Sequence, residues 1–341
     1  MTALLLGVLL AQPSFEVAGF TRPLVLDAPS AKQCAECHPD RAREWSASAH
    51  RESLTNRVFL DGFSTEPHLR CLVCHGPLEA QVKATWPARE ALAKGQLPAL
   101  DSPVHEGITC AVCHVRDGVV LSPRAGSLPY GHPVRHEPAL RTSEFCGTCH
   151  EFDGHAVVDG ATQLNALPMQ TTLSEWRAWG GAQTCQSCHM PASSHRVRGG
   201  HDVDFVRSAV RLEVRGAEAI VTAHDVGHRV PTGDVFRHLV LWADDEPLMR
   251  FGLELTRGVD ARGRPGVLIA NDTRLIPDVP VTVRIPPGAK RVRLTYHFTS
   301  VSIRPRPLLT REDELVELWS LPVGQRSTGR TEKTSTSTPG E

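Results

Sequence analysis

The sequence has few aromatic side chains and almost no net charge. Of its 341 residues only two are tyrosine, and aromatic residues together make up 5% of the chain. Lysine and arginine number 37 against 38 aspartate and glutamate, so the formal net charge is −1. Because nucleic-acid-binding domains carry a basic patch, this balance argues against a nucleic-acid partner. With so few aromatic side chains, the chain has little bulky apolar volume to fill a core, unless another large apolar group fills it.

Long apolar runs are missing as well, since a membrane-spanning helix takes about 20 such residues. The apolar run from Met1 to Gln12 is shorter and is similar to the hydrophobic part of a secretory signal, with the small Ala11 near a cleavage point. The basic residues that usually precede such a run are absent. We therefore expect residues 1–20 to be a signal peptide or an N-terminal segment, with a buried strand or helix as the alternative. A signal peptide would make the protein periplasmic or otherwise exported.

All ten cysteines belong to five copies of the pattern Cys-x-x-Cys-His, and none is left over. The copies are Cys34, Cys37 and His38; Cys71, Cys74 and His75; Cys110, Cys113 and His114; Cys146, Cys149 and His150; and Cys185, Cys188 and His189. Each copy is the attachment signature of a c-type haem. On a helical turn the two cysteines share a face, where their thiols can form thioethers with the two vinyl groups of one porphyrin. The histidine is then directed at the iron as its proximal ligand.

Other cysteine chemistries account for this pattern less well. Zinc ribbons pair two Cys-x-x-Cys knuckles around one metal ion, and five knuckles cannot pair evenly. Five thioredoxin-like dithiols would each need a fold of their own. A disulfide framework does not need a histidine after every second cysteine. The sequence therefore predicts five covalently bound haem c groups.

The five motifs define an N-terminal region. They begin at residues 34, 71, 110, 146 and 185, and proline and glycine are frequent in the connections. We expect residues 30–202 to form a pentahaem cytochrome domain of short helices and loops wrapped on five haems. Helices are predicted over Pro39–Asn56 and Leu173–Trp179.

The character of the chain changes after about residue 204. Cysteine disappears, alternating apolar patterns favour strands, and turn sequences such as Pro286-Pro287-Gly288 separate them. Strands are predicted over Val206–Val214, Ala219–Ala223, His238–Ala243, Phe251–Thr256, Val279–Ile285 and Val292–Val301. An antiparallel β-sandwich over residues 204–322 is therefore expected, which makes the fold class α+β. We also expect a terminal helix over Arg311–Leu318 and a disordered tail over residues 323–341.

Twelve histidines lie outside the motifs, and five irons with two histidine ligands each need five of them. We expect iron ligation by His50, His105, His132, His201 and His228. His50 follows the first motif on a predicted helix, and His105 lies five residues before Cys110. His136 and His195 are the reserves. His68 and His155 are expected in solvated loops, and His224, His238 and His297 in structural positions on strands.

These residues resemble the multihaem c-type cytochromes typified by the tetrahaem electron carrier of nitrifiers. The resemblance extends to sequences that flank the motifs: Trp45…Ser48…His50, Gly76-Pro77, Gly107-Ile-Thr, Ser143-Glu-Phe, Glu175-Trp176 and, after the last motif, Met190-Pro191. It covers about residues 30–202, and Gly227-His228…Pro231-Thr-Gly233 is similar to an element of β domains attached to such cytochromes. The resemblance implies periplasmic electron transfer through closely packed haems, mostly with two histidines per iron, although some members leave one iron five-coordinate. Five motifs and a β domain depart from the type member, so neither the haem order nor the partner can be carried over.

Two functions are compatible with these features. The first is electron transfer between redox protein partners, such as a membrane quinol oxidase or another cytochrome. The second is a haem reductase acting on nitrite, hydroxylamine or a sulfur oxyanion at one five-coordinate iron. Every motif ends in histidine rather than in the lysine of pentahaem nitrite reductases, and histidines are in surplus. We therefore expect an electron carrier without catalytic residues, whose β domain docks a partner or shields the haems.

Overall fold

The computed structural model describes residues 14–17, 20–23, 28–65, 67–125, 132–158, 161–260, 263, 265–299 and 308–323. In these ranges the helices lie mainly before residue 210. They are α1 Ala31–Ala35, α2 Pro39–Ser46, α3 Arg57–Thr65, α4 Leu69–His75, α5 Glu79–Thr85, α6 Arg89–Leu92, α7 Cys110–His114, α8 Ser143–His150, α9 Thr172–Ala178, α10 Cys185–His189, α11 Val203–Ala209 and α12 Arg311–Glu314. Short 3₁₀ helices cover Pro103–Glu106, Pro138–Arg141 and Pro191–Ser193.

Every Cys-x-x-Cys-His motif lies on or directly after a short helix. Four of them end α4, α7, α8 and α10 with their histidine, and the first runs from α1 into the turn before α2. Ser30 begins α1 as its N-cap, and Gln33 completes a capping box there. Helices this short are marginal by themselves, so packing must hold them in place.

Strands dominate after residue 210. The strands are β1 Ser14–Val17, β2 Phe20–Pro23, β3 Val115–Arg116, β4 Val119–Ser122, β5 Val134–His136, β6 Glu151–Val158, β7 Ala161–Thr171, β8 Val210–Arg215, β9 Glu218–Ala223, β10 His238–Ala243, β11 Glu246–Phe251, β12 Leu253–Val259, β13 Pro265–Asp272, β14 Val281–Arg284, β15 Arg291–His297 and β16 Leu315–Pro322. A four-stranded sheet has the order β11-β10-β15-β16, a three-stranded sheet the order β14-β9-β8, and β12 pairs with β13. Neighbours in these sheets run antiparallel.

The largest apolar core lies between these sheets. Leu212 and Val221 of the three-stranded sheet belong to the same buried cluster as Leu239, Leu241 and Leu294 of the four-stranded sheet. Alternate residues of β8 and β9 point into it, as expected for strands with one face on a core. The helical region has only small buried clusters, such as the one around Leu54 and Leu72, so side chains alone do not fill its centre.

The structure departs from the sequence predictions at several elements. Helix α2 ends at Ser46, and the chain continues in turns instead of reaching Asn56. Residues 203–209 are helical because the Asp202 side chain caps the amide of Phe205, and the predicted strand starts only at Val210. The predicted terminal helix ends at Glu314, where β16 begins and pairs with β15.

The other predictions are confirmed, corrected by the structure, or outside the described residues. β10 has the predicted bounds, and α9 is within one residue of its prediction. Gly252 divides the predicted strand Phe251–Thr256 between β11 and β12. The hairpin of β6 and β7 was expected to be loop. Residues 1–13 of the predicted signal segment and 324–341 of the predicted tail are outside the described ranges. Within those ranges, no helix has the length and apolarity needed to cross a bilayer.

Candidate functional site

A continuous cavity of about 3270 Å³ runs through the helical region and reaches the β region. Ordinary ligand pockets measure roughly 300–1,000 Å³, so this one is several times larger. All ten cysteines and all five motif histidines line it. Six other histidines line it too: His50, His132, His195, His201, His224 and His228.

Hydrogen bonds fix most of the motif histidines so that Nε2 stays free. His75 Nδ1 lies 2.9 Å from Ser53 O, His114 Nδ1 lies 2.9 Å from Leu121 O, and His189 Nδ1 lies 2.5 Å from Arg198 O. The Nδ1 atom of His150 lies 3.1 Å from Oε1 of Gln170. A metal-binding histidine usually donates its second ring N–H in this way, which orients the ring and raises its basicity. The motif histidines are therefore arranged to bind a metal through Nε2.

Four motif histidines face a second histidine across the cavity. The ring centroids are 6.5 Å apart for His38 and His132, 6.4 Å for His50 and His150, 6.0 Å for His114 and His195, and 6.2 Å for His189 and His228. Two imidazoles that bind one metal ion from opposite sides, each through a bond of about 2 Å, have centroids roughly 6 Å apart. The four pairs therefore have the spacing of axial ligand pairs.

The facing histidines come from distant parts of the chain. His50 lies in the turns after α2, His132 before β5, His195 after the last motif, and His228 in the connection between β9 and β10. Two of them also hold Nδ1 against a backbone carbonyl oxygen, as several motif histidines do. His228 Nδ1 lies 2.9 Å from Arg229 O, and His195 Nδ1 lies 3.1 Å from Ser193 O. Three of the five predicted distal ligands, His50, His132 and His228, thus face a motif histidine. The fourth facing histidine is His195, which was expected only as a reserve ligand and which faces His114.

Two other predicted ligands, His105 and His201, face no motif histidine in the described part of the chain. His105 is buried in the 3₁₀ helix before the third motif, outside the cavity lining, and its Nε2 lies 3.0 Å from Pro98 O. His201 does line the cavity, but its ring stacks on Phe298 at 4.6 Å and 3° and faces no motif histidine in the described part of the chain.

The second motif differs from the other four. In the described ranges no histidine faces His75; instead the ring of Phe59 stacks on it, with centroids 4.4 Å apart and planes 28° from parallel. Phe59 lies on α3 and also stacks on Phe63 at 5.4 Å. This aromatic neighbour was not predicted, because nothing in the sequence distinguishes Phe59 from a core residue.

The remaining histidines have structural surroundings. His68 caps α4 through the amide of Arg70, and the reserve His136 is exposed on β5. His238 and His297 are cross-strand neighbours on β10 and β15, with ring centroids 4.5 Å apart and planes 15° from parallel. Both therefore lie on strands, where structural positions were predicted for them. His224 lies just after β9, 3.1 Å from Asp225. The side chain of His155 is not among the described features.

Burial lowers the pKa values of several cavity histidines. It lowers the pKa of His50 to about 4, and it also lowers the pKa values of His75, His189 and His195. Nearby histidines lower these pKa values further, because like charges disfavour one another. A neutral imidazole offers the lone pair that a metal needs, so these rings are ready to coordinate at neutral pH.

The first cysteines of different motifs meet in pairs. The thiol of Cys34 lies beside that of Cys110, and the thiol of Cys146 lies beside that of Cys185. Within each pair the neighbouring thiol lowers the pKa of one cysteine, Cys110 or Cys185, and raises the pKa of the other. The first motif therefore adjoins the third, and the fourth adjoins the fifth.

The cavity suits five haem c groups. Each motif supplies two thiols and one oriented imidazole at its wall, and the apolar lining exceeds the polar lining. The small apolar clusters of the helical region leave a centre that large apolar macrocycles would fill.

Among solved structures, the chain is similar in fold to a penta-haem cytochrome c552 from Thermochromatium tepidum. The two superpose with a TM-score of 0.59 at 21% sequence identity, over 87% of this chain and 99% of that one. No protein-family model matches the chain, and no curated protein matches it in sequence. The likeness shows a shared fold that combines helices with antiparallel sheets.

Proposed function

We propose that this chain is an exported, periplasmic pentahaem c-type cytochrome that carries electrons between redox protein partners. The observation that carries the proposal is the set of four facing histidine pairs at 6.0–6.5 Å, inside a cavity lined by all ten cysteines. The fold likeness to a penta-haem cytochrome supports it. Residues 30–202 form the haem domain, and residues 204–322 form a β-sandwich domain that contributes one ligand.

The protein's own residues would determine how the haems are held. The cysteines would hold each group through thioethers, and four histidine pairs would supply iron ligands: His38 with His132, His150 with His50, His114 with His195, and His189 with His228. When bound, haem supplies reversible one-electron transfer. Carbonyl oxygens at Nδ1 hold the rings in one orientation, so little has to move when the charge changes. Neighbouring motifs, first with third and fourth with fifth, place the attached groups side by side.

Mass spectrometry and electron paramagnetic resonance test this proposal. The mature chain should carry five haems, and the oxidised protein should show four low-spin haems. Fewer than five haems would contradict the cofactor assignment. More than one high-spin haem would contradict the histidine pairs.

The unmatched second motif favours one alternative function, a reductase of a small nitrogen or sulfur oxyanion. Opposite His75 the structure offers Phe59, which cannot ligate, so an external molecule can take the sixth position there. Open-site chemistry needs such a position. The reduced protein should bind one carbon monoxide per chain. An oxidised high-spin signal that shifts with nitrite or hydroxylamine would favour the enzyme, and absence of carbon monoxide binding would exclude it.

A further inference from the structure

Glu175 and Arg274 form a buried ion pair between the helical region and the β region. Glu175 Oε1 lies 2.6 Å from Nη1 of Arg274, and the two side chains are 9% and 8% exposed. Glu175 belongs to α9, between the fourth and fifth motifs, whereas Arg274 lies after β13. Arg274 also binds Asp272 through Nε at 2.9 Å and Nη2 at 2.8 Å. The pair thus connects two regions that are distant in sequence.

The second carboxylate oxygen of Glu175 accepts a hydrogen bond from the segment that carries His228. Thr232 Oγ1 donates to Glu175 Oε2 at 2.9 Å, and it also lies 2.9 Å from Oγ1 of Thr172. Thr171 donates to the first oxygen at 2.7 Å. We call Glu175, Thr232 and Arg274 the interdomain clamp.

The clamp lies against the connection that presents His228. Val230 and Leu275 exchange backbone hydrogen bonds of 3.0 and 2.8 Å, so this connection is paired with the residue that follows Arg274. Arg229 lies 3.5 Å from Asp272, the other partner of Arg274. The residues that follow His228 are therefore held by contacts to Glu175 and to the segment around Arg274.

A buried ion pair needs an explanation beyond stability. Replacing such a pair by apolar residues is often neutral or stabilising, because desolvation offsets the attraction. What the pair does provide is a fixed geometry, since three donors converge on one carboxylate. His228 is the facing histidine that the β region contributes, with its ring 6.2 Å from that of His189.

We propose that the interdomain clamp is a positioning device that holds His228 on the iron of the fifth haem. The clamp couples the docking of the β region to the coordination state of that haem. This inference rests on the proposed function, because it requires His189 and His228 to be axial ligands.

The test compares variants of the full-length haem-loaded protein. Glu175→Gln leaves Arg274 with Asp272 as its remaining counter-charge, and Thr232→Val removes only one hydroxyl. Both should convert part of one low-spin haem to high spin and should raise carbon monoxide binding toward one further molecule per chain. Glu144→Gln is the matched control, because Glu144 pairs with Arg177 of the same α9 at 3.4 Å while both side chains are half exposed. The control should match the wild type.

The possible outcomes separate the clamp from the haem assignment. His228→Ala should convert the same haem fully, and if it leaves the spin states unchanged, the ligand assignment itself is wrong. If His228→Ala converts the haem but both clamp variants keep all low-spin signals, the positioning role is overturned, even if they melt earlier. Thr232→Val decides the question if Glu175→Gln does not accumulate.

Discussion

For a single histidine, the hydrogen bond at one ring nitrogen decides which nitrogen is left to bind a metal. His195 bonds Ser193 O through Nδ1 and keeps Nε2 free, whereas His105 uses Nε2 to bind Pro98 O. Both residues lie close in sequence to a haem motif, and proximity favoured His105, although its ring faces no motif histidine in the described ranges. The motif ligands were predictable because covalent attachment fixes their spacing. The distal ligands depend on long-range folding, which spacing does not encode.

The first prediction contrasts these two histidines. We expect His195→Ala to convert one low-spin haem to high spin, because it removes the ring 6.0 Å from His114. His105→Ala should leave the spin states unchanged and only lower the melting temperature, since it loses a buried hydrogen bond. Electron paramagnetic resonance of both oxidised variants checks this. A high-spin signal in His105→Ala alone would reverse the assignment.

A second prediction concerns pH and the stacked pair of His238 and His297. Burial beside His238 and Arg250 lowers the pKa of His297 to about 4 in the folded chain, from 6.5. Between these values the unfolded chain binds more protons than the folded chain. The neutral His297 therefore stabilises the folded chain fully above about pH 6.5. This stabilisation is lost as the pH falls toward 4, by up to about 1.4 kcal/mol per pH unit.

Urea unfolding of the full-length protein at several pH values measures this loss. His297→Phe keeps an aromatic ring on the strand and removes the titration. Its free energy of unfolding should fall less steeply between pH 6.5 and 4 than that of the wild type. Equal slopes in the two proteins would show that His297 titrates normally.

Among the secondary-structure elements, regular strands were easier to predict than the connections of the helical region. Alternation located β9 because one of its faces packs on a core, whereas β10 is buried on both faces and is a nearly continuous apolar run. The hairpin of β6 and β7 and the turns after α2 were not predicted as they are, because their conformation depends on distant partners. One example is the amide of Ile108, which donates to His50 O at 2.8 Å. That bond connects His50, which faces His150, to the segment before the third motif.

Gly107 makes this close approach possible, which gives a third prediction. Its φ is +50°, and a Cβ at this position would overlap the carbonyl oxygens of His50 and Arg51. Gly107→Ala should lower the free energy of unfolding by about 1–3 kcal/mol or more, because both strain and overlap oppose it. Gly118→Ala is the control, since φ is +70° there but nothing lies within 4 Å.

Chemical unfolding followed by circular dichroism compares the two glycine variants. The control should lose only about 1 kcal/mol, the usual cost of a left-handed conformation. Similar losses in both variants would mean that the turn at Gly107 relaxes easily and does not hold His50 in place.

In the whole molecule, facing histidines connect motifs that are not neighbours in sequence. His50 follows the first motif and faces the fourth, His132 follows the third and faces the first, and His195 follows the fifth and faces the third. Bound haems would thus cross-link the helical region from end to end. The β region has a different source of stability, because its buried cluster from Val210 to Leu318 is formed by side chains alone.

This difference predicts how the full-length chain behaves when it is made without haem attachment. Short helices around a cavity of about 3270 Å³ cannot bury enough apolar surface to offset chain entropy, so residues 30–202 should remain largely unfolded. The sheets after residue 204 should keep their structure, as their core needs no cofactor. Limited proteolysis with mass spectrometry should then leave a protected fragment near 204–322 from the haem-free chain, but protect both regions in the haem-loaded chain. If residues 30–202 resist the protease equally well without haem, the haems are not the core of that region. If the β fragment is also digested, the stability of the β region depends on the haem region, through contacts such as that of Glu175 with Arg274.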